Sequence, residues 1–97
     1  MYKVTFLEPA ENELKEAVQY YNKQLGELGN EFAEEVKKSI KRIIYFPYLW
    51  KKLSDRTRKC PCKRFPYNII YFIDKKKIVI VAIMHSKRKP DYWKNRV

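Results

Sequence analysis

The sequence predicts an α+β fold in which an αα-hairpin packs on one face of an antiparallel sheet, with the element order β-α-α-β-β-β. Three observations carry that prediction. Two apolar stripes recur at three- and four-residue steps between Ala10 and Ile44. The only two glycines, Gly26 and Gly29, sit between those stripes. Beyond them lie runs of β-branched and aromatic residues joined by short polar turns.

Each element has a local reason. Tyr2 to Leu7 is rich in β-formers and reads as a first strand. Pro9 suits the first turn of a helix, and Glu11 and Glu13 lie near the positive end of its dipole. Ala10, Leu14, Ala17, Val18, Tyr21 and Leu25 form the first stripe. Gly26 fits a left-handed C-cap, and Asn30 can cap the next helix. Phe32, Val36, Ile40, Ile43 and Ile44 form the second stripe, with Lys37, Lys38, Lys41 and Arg42 toward its negative end, and Pro47 stops it. Arg58 to Phe65 reads as an edge strand weakened by Pro61. Tyr67 to Ile73 and Ile78 to His85 read as buried strands flanking the turn Asp74 to Lys77, which pairs them antiparallel.

Ninety-seven residues, 45% of them hydrophobic, fit one domain spanning residues 1–97 with a real core. No apolar stretch is long enough to span a bilayer, and the N-terminus lacks a signal-peptide h-region, so the expectation is a cytoplasmic protein without membrane partners. The net charge of +11 is unevenly spread: residues 1–35 carry −5 and residues 36–97 carry +16. That split points to a polyanionic partner, nucleic acid first and an acidic protein second, against a lysine surface that serves solubility alone. Cys60, Cys62 and His85 are too few for a usual four-ligand zinc site, and a Cys60–Cys62 bond would close a strained ring. Free thiols and no metal or cofactor are therefore expected.

His85 is the one histidine. It ends the apolar run from Ile78 to Met84 and opens a tail rich in cations and aromatics, from Ser86 to Arg96. Imidazole exchanges protons near neutral pH, and Lys and Arg hold phosphate. These are the tools of a metal-free ribonuclease; an ordinary strand end on a basic binding protein would look the same. The register decides its neighbours. A two-residue Lys75-Lys76 loop places His85 on one face with Arg64 and Asn68, whereas one extra residue moves it beside Tyr67 and Tyr71.

The chain resembles the RelE/ParE superfamily of type II toxin–antitoxin toxins. The resemblance rests on Glu8-Pro9-Ala10 with Glu13-Leu14, Tyr20-Tyr21, Leu28-Gly29 before Phe32, and Phe46-Pro47. It continues through Phe65-Pro66-Tyr67-Asn68-Ile69-Ile70-Tyr71, Ala82-Ile83-Met84-His85, Arg88, Pro90, Tyr92-Trp93 and Arg96. It implies a toxin neutralised by a cognate antitoxin protein. Because His85, Arg88 and Tyr92 coexist in the tail, the expected activity is RelE-like, a metal-free endonuclease acting on mRNA at the ribosome; the alternatives are a ParE-like inhibitor of DNA gyrase and an attenuated toxin that only binds its antitoxin.

For RNA cleavage the ribose 2′-hydroxyl attacks the adjacent phosphate and the 5′-oxygen leaves, so a base, an acid and phosphate-holding cations are needed. The resemblance offers His85 as base or acid, Tyr92 as proton donor or stacking ring, and Arg88 and Arg64 as phosphate clamps. Lys51, Lys52, Asn68 and Lys87 are the candidate substrate-binding residues. RelE-like nucleases carry Tyr-Arg where this chain has Tyr67-Asn68, and Asn68 cannot supply the missing charge. Arg64, four residues earlier on a regular strand, is the candidate replacement. The plainer alternative is that Tyr92 and Trp93 pack the tail onto the sheet.

Overall fold

A computed structural model describes residues 1–97. Strand β1 (Lys3–Phe6) leads into helices α1 (Glu8–Gln24) and α2 (Leu28–Tyr45), followed by β2 (Lys51–Lys52), β3 (Thr57–Pro61), β4 (Tyr67–Asp74) and β5 (Lys77–His85). A short 3-10 turn, Lys94–Arg96, ends the chain. The five strands form one sheet in the order β1-β5-β4-β3-β2.

The expected α+β order and the helical hairpin on one face both hold. The sheet is mixed, however: β1 pairs parallel with β5, with Lys3 opposite Lys77 and Phe6 opposite Ile80. The two-helix crossover carries the chain back over the sheet, so its first and last strands run the same way. The segment expected as an edge strand is shorter and internal, because β2 pairs outside it.

Strand β5 explains its own apolar run. It lies between β1 and β4 and is covered on both faces. Ile78, Ile80 and Ile83 join Ile69 and Tyr71 under α1 and α2, against Ala17, Phe32, Val36 and Ile43. Val79, Val81, Ala82 and Met84 join Ile70 and Phe72 on the opposite face, where Trp93 closes over them and is only 2% exposed.

Consecutive residues Val81 and Ala82 lie on the same face because β5 carries a bulge. Tyr71 pairs with Ile80, while Ile70 pairs with Ala82, so Val81 is the extra residue. The hairpin loop has the two residues anticipated, with Asp74 opposite Lys77, yet the bulge shifts the register beyond it. His85 therefore lies opposite Tyr67 and not Pro66, and Asn68 lies opposite Met84. The grouping of His85 with Arg64 and Asn68 is corrected: Asn68 follows Met84 and Ile70 onto the tail-covered face.

The interhelical turn also departs from expectation. Leu25 is exposed and extended, and the left-handed residue is Glu27 (φ 73°), with no positive φ at Gly26. Asn30 sits inside α2, where its amide donates to Glu27 Oε2 at 2.7 Å. The glycine that matters is Gly29. Its N–H donates to Asn22 Oδ1 at 2.7 Å, and an added Cβ would lie 2.1 Å from the Val18 carbonyl oxygen. Backbone contact between α1 and α2 requires its bare Cα.

Gly29→Ala is expected to lose about 3 kcal/mol in urea unfolding, since backbone oxygen cannot swing aside. Gly26→Ala, with nothing within 4 Å of the new methyl, is expected to be neutral or to gain about 0.5 kcal/mol. Equal effects at the two sites would contradict this account of the hairpin.

Candidate functional site

Strand β5 runs on to His85 after β1 has ended at Phe6, leaving its β1 side without a strand partner. Side chains take the place of that strand. Leu7 N–H reaches the Ile80 carbonyl at 2.9 Å. Beyond it, Arg96 Nη1 donates to the Val81 carbonyl at 3.0 Å, and Ile83 N–H donates to Glu13 Oε1 at 3.0 Å. An open sheet edge carries groups that must be satisfied; here a helix carboxylate and a tail guanidinium do so.

Glu13 is the centre of this arrangement. Arg96 donates to both carboxylate oxygens, at 2.9 Å to Oε1 and 3.0 Å to Oε2. Tyr92 Oη donates to Oε2 at 2.7 Å, and Arg88 Nη1 stands 3.8 Å from the same oxygen. The Glu13 side chain is only 14% exposed, so these bonds are shielded from water and strengthened. Burial pushes the Tyr92 phenol well above its ordinary range, and the bond to Glu13 and its negative charge push it further. The Arg88 guanidinium lies 4.0 Å from the Tyr92 ring centroid and that of Arg96 lies 5.0 Å away. Tyr92 is thus a fastener between tail and helix.

His85 sits at the rim of a cavity of about 200 Å³ that it shares with Glu13, Glu16, Tyr20, Tyr67 and Arg88. Its ring meets Tyr67 edge-on, with centroids 5.0 Å apart. Lys87 N–H donates to His85 Nδ1 at 3.1 Å, which leaves Nε2 to carry the proton of the neutral ring. Arg88 N–H donates to the His85 carbonyl at 3.0 Å, a tight turn that brings Arg88 back over the cavity. The structure thus brings His85, Arg88 and Tyr92 to the same end of the molecule, but it walls the cavity with two carboxylates.

The remaining candidates lie elsewhere. Arg64 is not on a strand; it occupies the β3–β4 turn with φ 70°. Its guanidinium donates to Glu31 Oε1 at 2.8 Å, beside a separate cavity of about 350 Å³ lined by Glu27, Glu31, Glu34 and Glu35. Lys51 and Lys52 lie on the outermost strand, with β3 and β4 between them and β5. At about 4.8 Å per strand that is roughly 14 Å across the sheet. Asn68 is on the opposite face from His85, and the Lys87 side chain points into solvent.

From sequence Glu13 reads only as a carboxylate at a helix dipole and Arg96 as a residue near a frayed terminus; their pairing is not legible there. A signal was present: Glu13 stands three residues after Ala10 and four before Ala17, a charge at the margin of the buried stripe. Glu35, which by its place on the second helix is expected to be solvent-exposed, is buried instead. Burial alone would raise this carboxyl, but bonds from Lys63 N–H, Arg42 and Ser39 outweigh it and hold the group below the ordinary carboxylate range. Cys60 and Cys62, both free, pack against this cluster, and burial raises both thiols.

Comparison with known proteins places this geometry. A family model described as the ParE toxin of the type II toxin–antitoxin system parDE matches residues 4–90. The fold is similar to a structure of the chromosomal ParDE toxin–antitoxin system from P. aeruginosa, with TM-score 0.78 and 15% identity over 90% of this chain and 98% of that one. It is also similar to the isolated E. coli RelE toxin, with TM-score 0.67 and 20% identity over 98% of this chain and 95% of that one. No curated protein matches the chain by sequence.

Glu13→Ala is expected to destabilise the chain by about 3 kcal/mol, because it strands Arg96, the Tyr92 hydroxyl and the Ile83 N–H together. Hydrogen exchange should show early loss of protection at the Lys94 and Arg96 amides, which are bonded to the Asp91 and Trp93 carbonyls; unchanged tail protection would contradict the role assigned to Glu13. For Glu35 the folded value lies below the unfolded one, so its stabilisation is complete above the unfolded value and is lost as pH falls through the folded one. The stability gap between the native chain and Glu35→Gln should be widest at neutral pH and close below about pH 4, as read from urea midpoints across pH.

Proposed function

The chain belongs to the ParE toxin family of type II toxin–antitoxin systems, and from that premise we propose that it acts by binding DNA gyrase, not by cutting mRNA. As a toxin of this class it is the partner of a cognate antitoxin. One observation carries the choice of target: at His85 the cavity presents Glu13 and Glu16, and its one arginine, Arg88, already faces Glu13. Glu13 is already neutralised by Arg96, so an incoming phosphate would meet the unpaired Glu16 carboxylate there, with Arg88 drawn to within 3.8 Å of Glu13 as the one guanidinium on the cavity.

The other parts of a nuclease are also committed elsewhere. Tyr92 would have to leave Glu13 to donate a proton, and its raised pKa makes it a weaker acid than free tyrosine. Arg64 is held by Glu31. Asn68 supplies no charge and faces away from His85. A toxin that binds a protein target needs none of these groups; it needs a rigid surface. The mRNA endonuclease reading keeps one point in its favour, the approach of His85 and Arg88 to a common cavity.

Expression of the chain without antitoxin should arrest growth, with inhibition of gyrase supercoiling by the purified protein and intact transcript ends. His85→Ala should leave toxicity within about twofold of the parent, the range expected of a surface substitution that removes no transition-state contact. Cleaved transcripts together with relief of arrest by His85→Ala would reverse the assignment.

A further inference from the structure

The two kinds of cation in this chain do different work. All six arginines are engaged within the protein: Arg42 with Glu35, Arg64 with Glu31, Arg88 and Arg96 with Glu13, Arg58 with the carbonyls of Tyr48 and Trp50, and Arg56 over the Phe72 ring. Of the sixteen lysines, only Lys15 and Lys37 meet a carboxylate. The +11 charge is therefore presented to solvent mainly as unpaired lysine.

Four of those lysines converge. Lys3, Lys75, Lys76 and Lys77 line a single cleft of about 450 Å³ at the β4–β5 hairpin, with Asp74 as its one acidic group. The fold forces this convergence, since the parallel pairing of β1 with β5 sets Lys3 directly opposite Lys77. Lys3 N–H also donates to the Lys76 carbonyl at 2.9 Å, which fixes the hairpin against β1. At the tip, Lys75 holds a left-handed φ of 55°, a conformation that glycine or asparagine adopts more readily.

We infer that this lysine cleft is a contact surface for the phosphate backbone of duplex DNA. A concave group of like charges focuses the field on a polyanion more than a flat strand edge does. The lining holds no arginine to read a base edge by a bidentate contact and no aromatic ring on which an unpaired base could stack. What remains is sequence-independent attraction to closely spaced phosphates. The inference deepens the gyrase reading and rests on it to this extent: gyrase works on duplex DNA, so a toxin docked there would meet that backbone. The cleft lies at the opposite end of β5 from His85, which leaves the two surfaces separable by mutation.

The test is duplex binding by the purified chain, read by fluorescence anisotropy on a 20-bp probe, a length chosen to be about two helical turns, from 50 to 200 mM salt. Four neutralised phosphates would give a log–log salt slope near −3.6, an affinity loss of about a hundredfold over that range. The triple variant Lys3→Gln, Lys76→Gln, Lys77→Gln should flatten the loss to about fourfold. Lys51→Gln, Lys52→Gln, Lys63→Gln removes the same charge from exposed positions at the far side of the sheet and should keep the steep slope. Circular dichroism melts confirm that both triples fold. Tyr45→Ala, in the adjoining cavity with Lys41, should leave duplex binding unchanged. Equal flattening by both triples, or tighter binding of a single-stranded RNA probe that is lost in Tyr45→Ala, would overturn the inference. The gyrase assay is read separately. A chain that binds duplex through the cleft yet spares gyrase sinks the target assignment alone; one that inhibits gyrase with no cleft dependence of duplex binding sinks this inference alone.

Discussion

One carboxylate substitutes for a strand. Where β1 stops and β5 continues, Glu13 on α1 takes the Ile83 N–H and at the same time holds the tail through Tyr92 and Arg96. An isolated buried carboxylate would cost several kcal/mol in desolvation. Here its oxygens receive four donors from three parts of the chain, which compensates for the lost water. The consequence spreads outward. With the tail fastened, Trp93 lies over Val79, Val81 and Met84 and closes the second face of the sheet. Without that fastening, the lower face of β5 would be bare, and an open apolar sheet face is an aggregation surface.

The bulge at Val81 belongs to the same constraint. The extra residue turns the Val81 carbonyl toward Arg96 and the Ile83 N–H toward Glu13, so both edge groups find partners. It also rotates the end of β5, bringing His85 to Tyr67 on the helix side. Had β5 been regular, His85 would have followed the other register and faced away from α1. A single inserted residue thus sets which groups surround the one imidazole.

This is why the fold was legible in the sequence while the site was not. The helices announce themselves by their stripes, and the hairpin by Asp74 to Lys77; both are local signals that tertiary structure reinforces. The α1–α2 contact was half legible: two glycines marked a turn, but only the folded structure shows that Gly29 answers to packing and that Glu27, not Gly26, takes the left-handed position. The bulge has no local signature, and the edge groups beside it are met by Glu13 and Arg96, two residues separated by 83 positions. The same holds for the cations. Sequence counts charges; it does not say which are neutralised. Arg64 and Arg88 read as phosphate clamps until Glu31 and Glu13 are seen beside them.

A fold shared by toxins of unlike chemistry leaves the choice of chemistry to a few side chains. In this chain those choices agree with one another. The position that would carry a catalytic arginine holds Asn68, the tail tyrosine is bonded to a carboxylate, and the cavity beside the histidine sets Arg88 against Glu13 and Glu16. Each of these would weaken phosphoryl chemistry on its own. Together they are what the gyrase proposal rests on, and beside them stands a division of cations, with arginine bonded within the chain and lysine left to solvent. Guanidinium is the better group for fixed bidentate bonds, and ammonium, compact and strongly hydrated, is the better group for loose attraction to a polyanion. The partition of the two across this molecule follows that difference: the guanidinium groups are held by partners within the chain, and the charge shown to solvent is mainly ammonium.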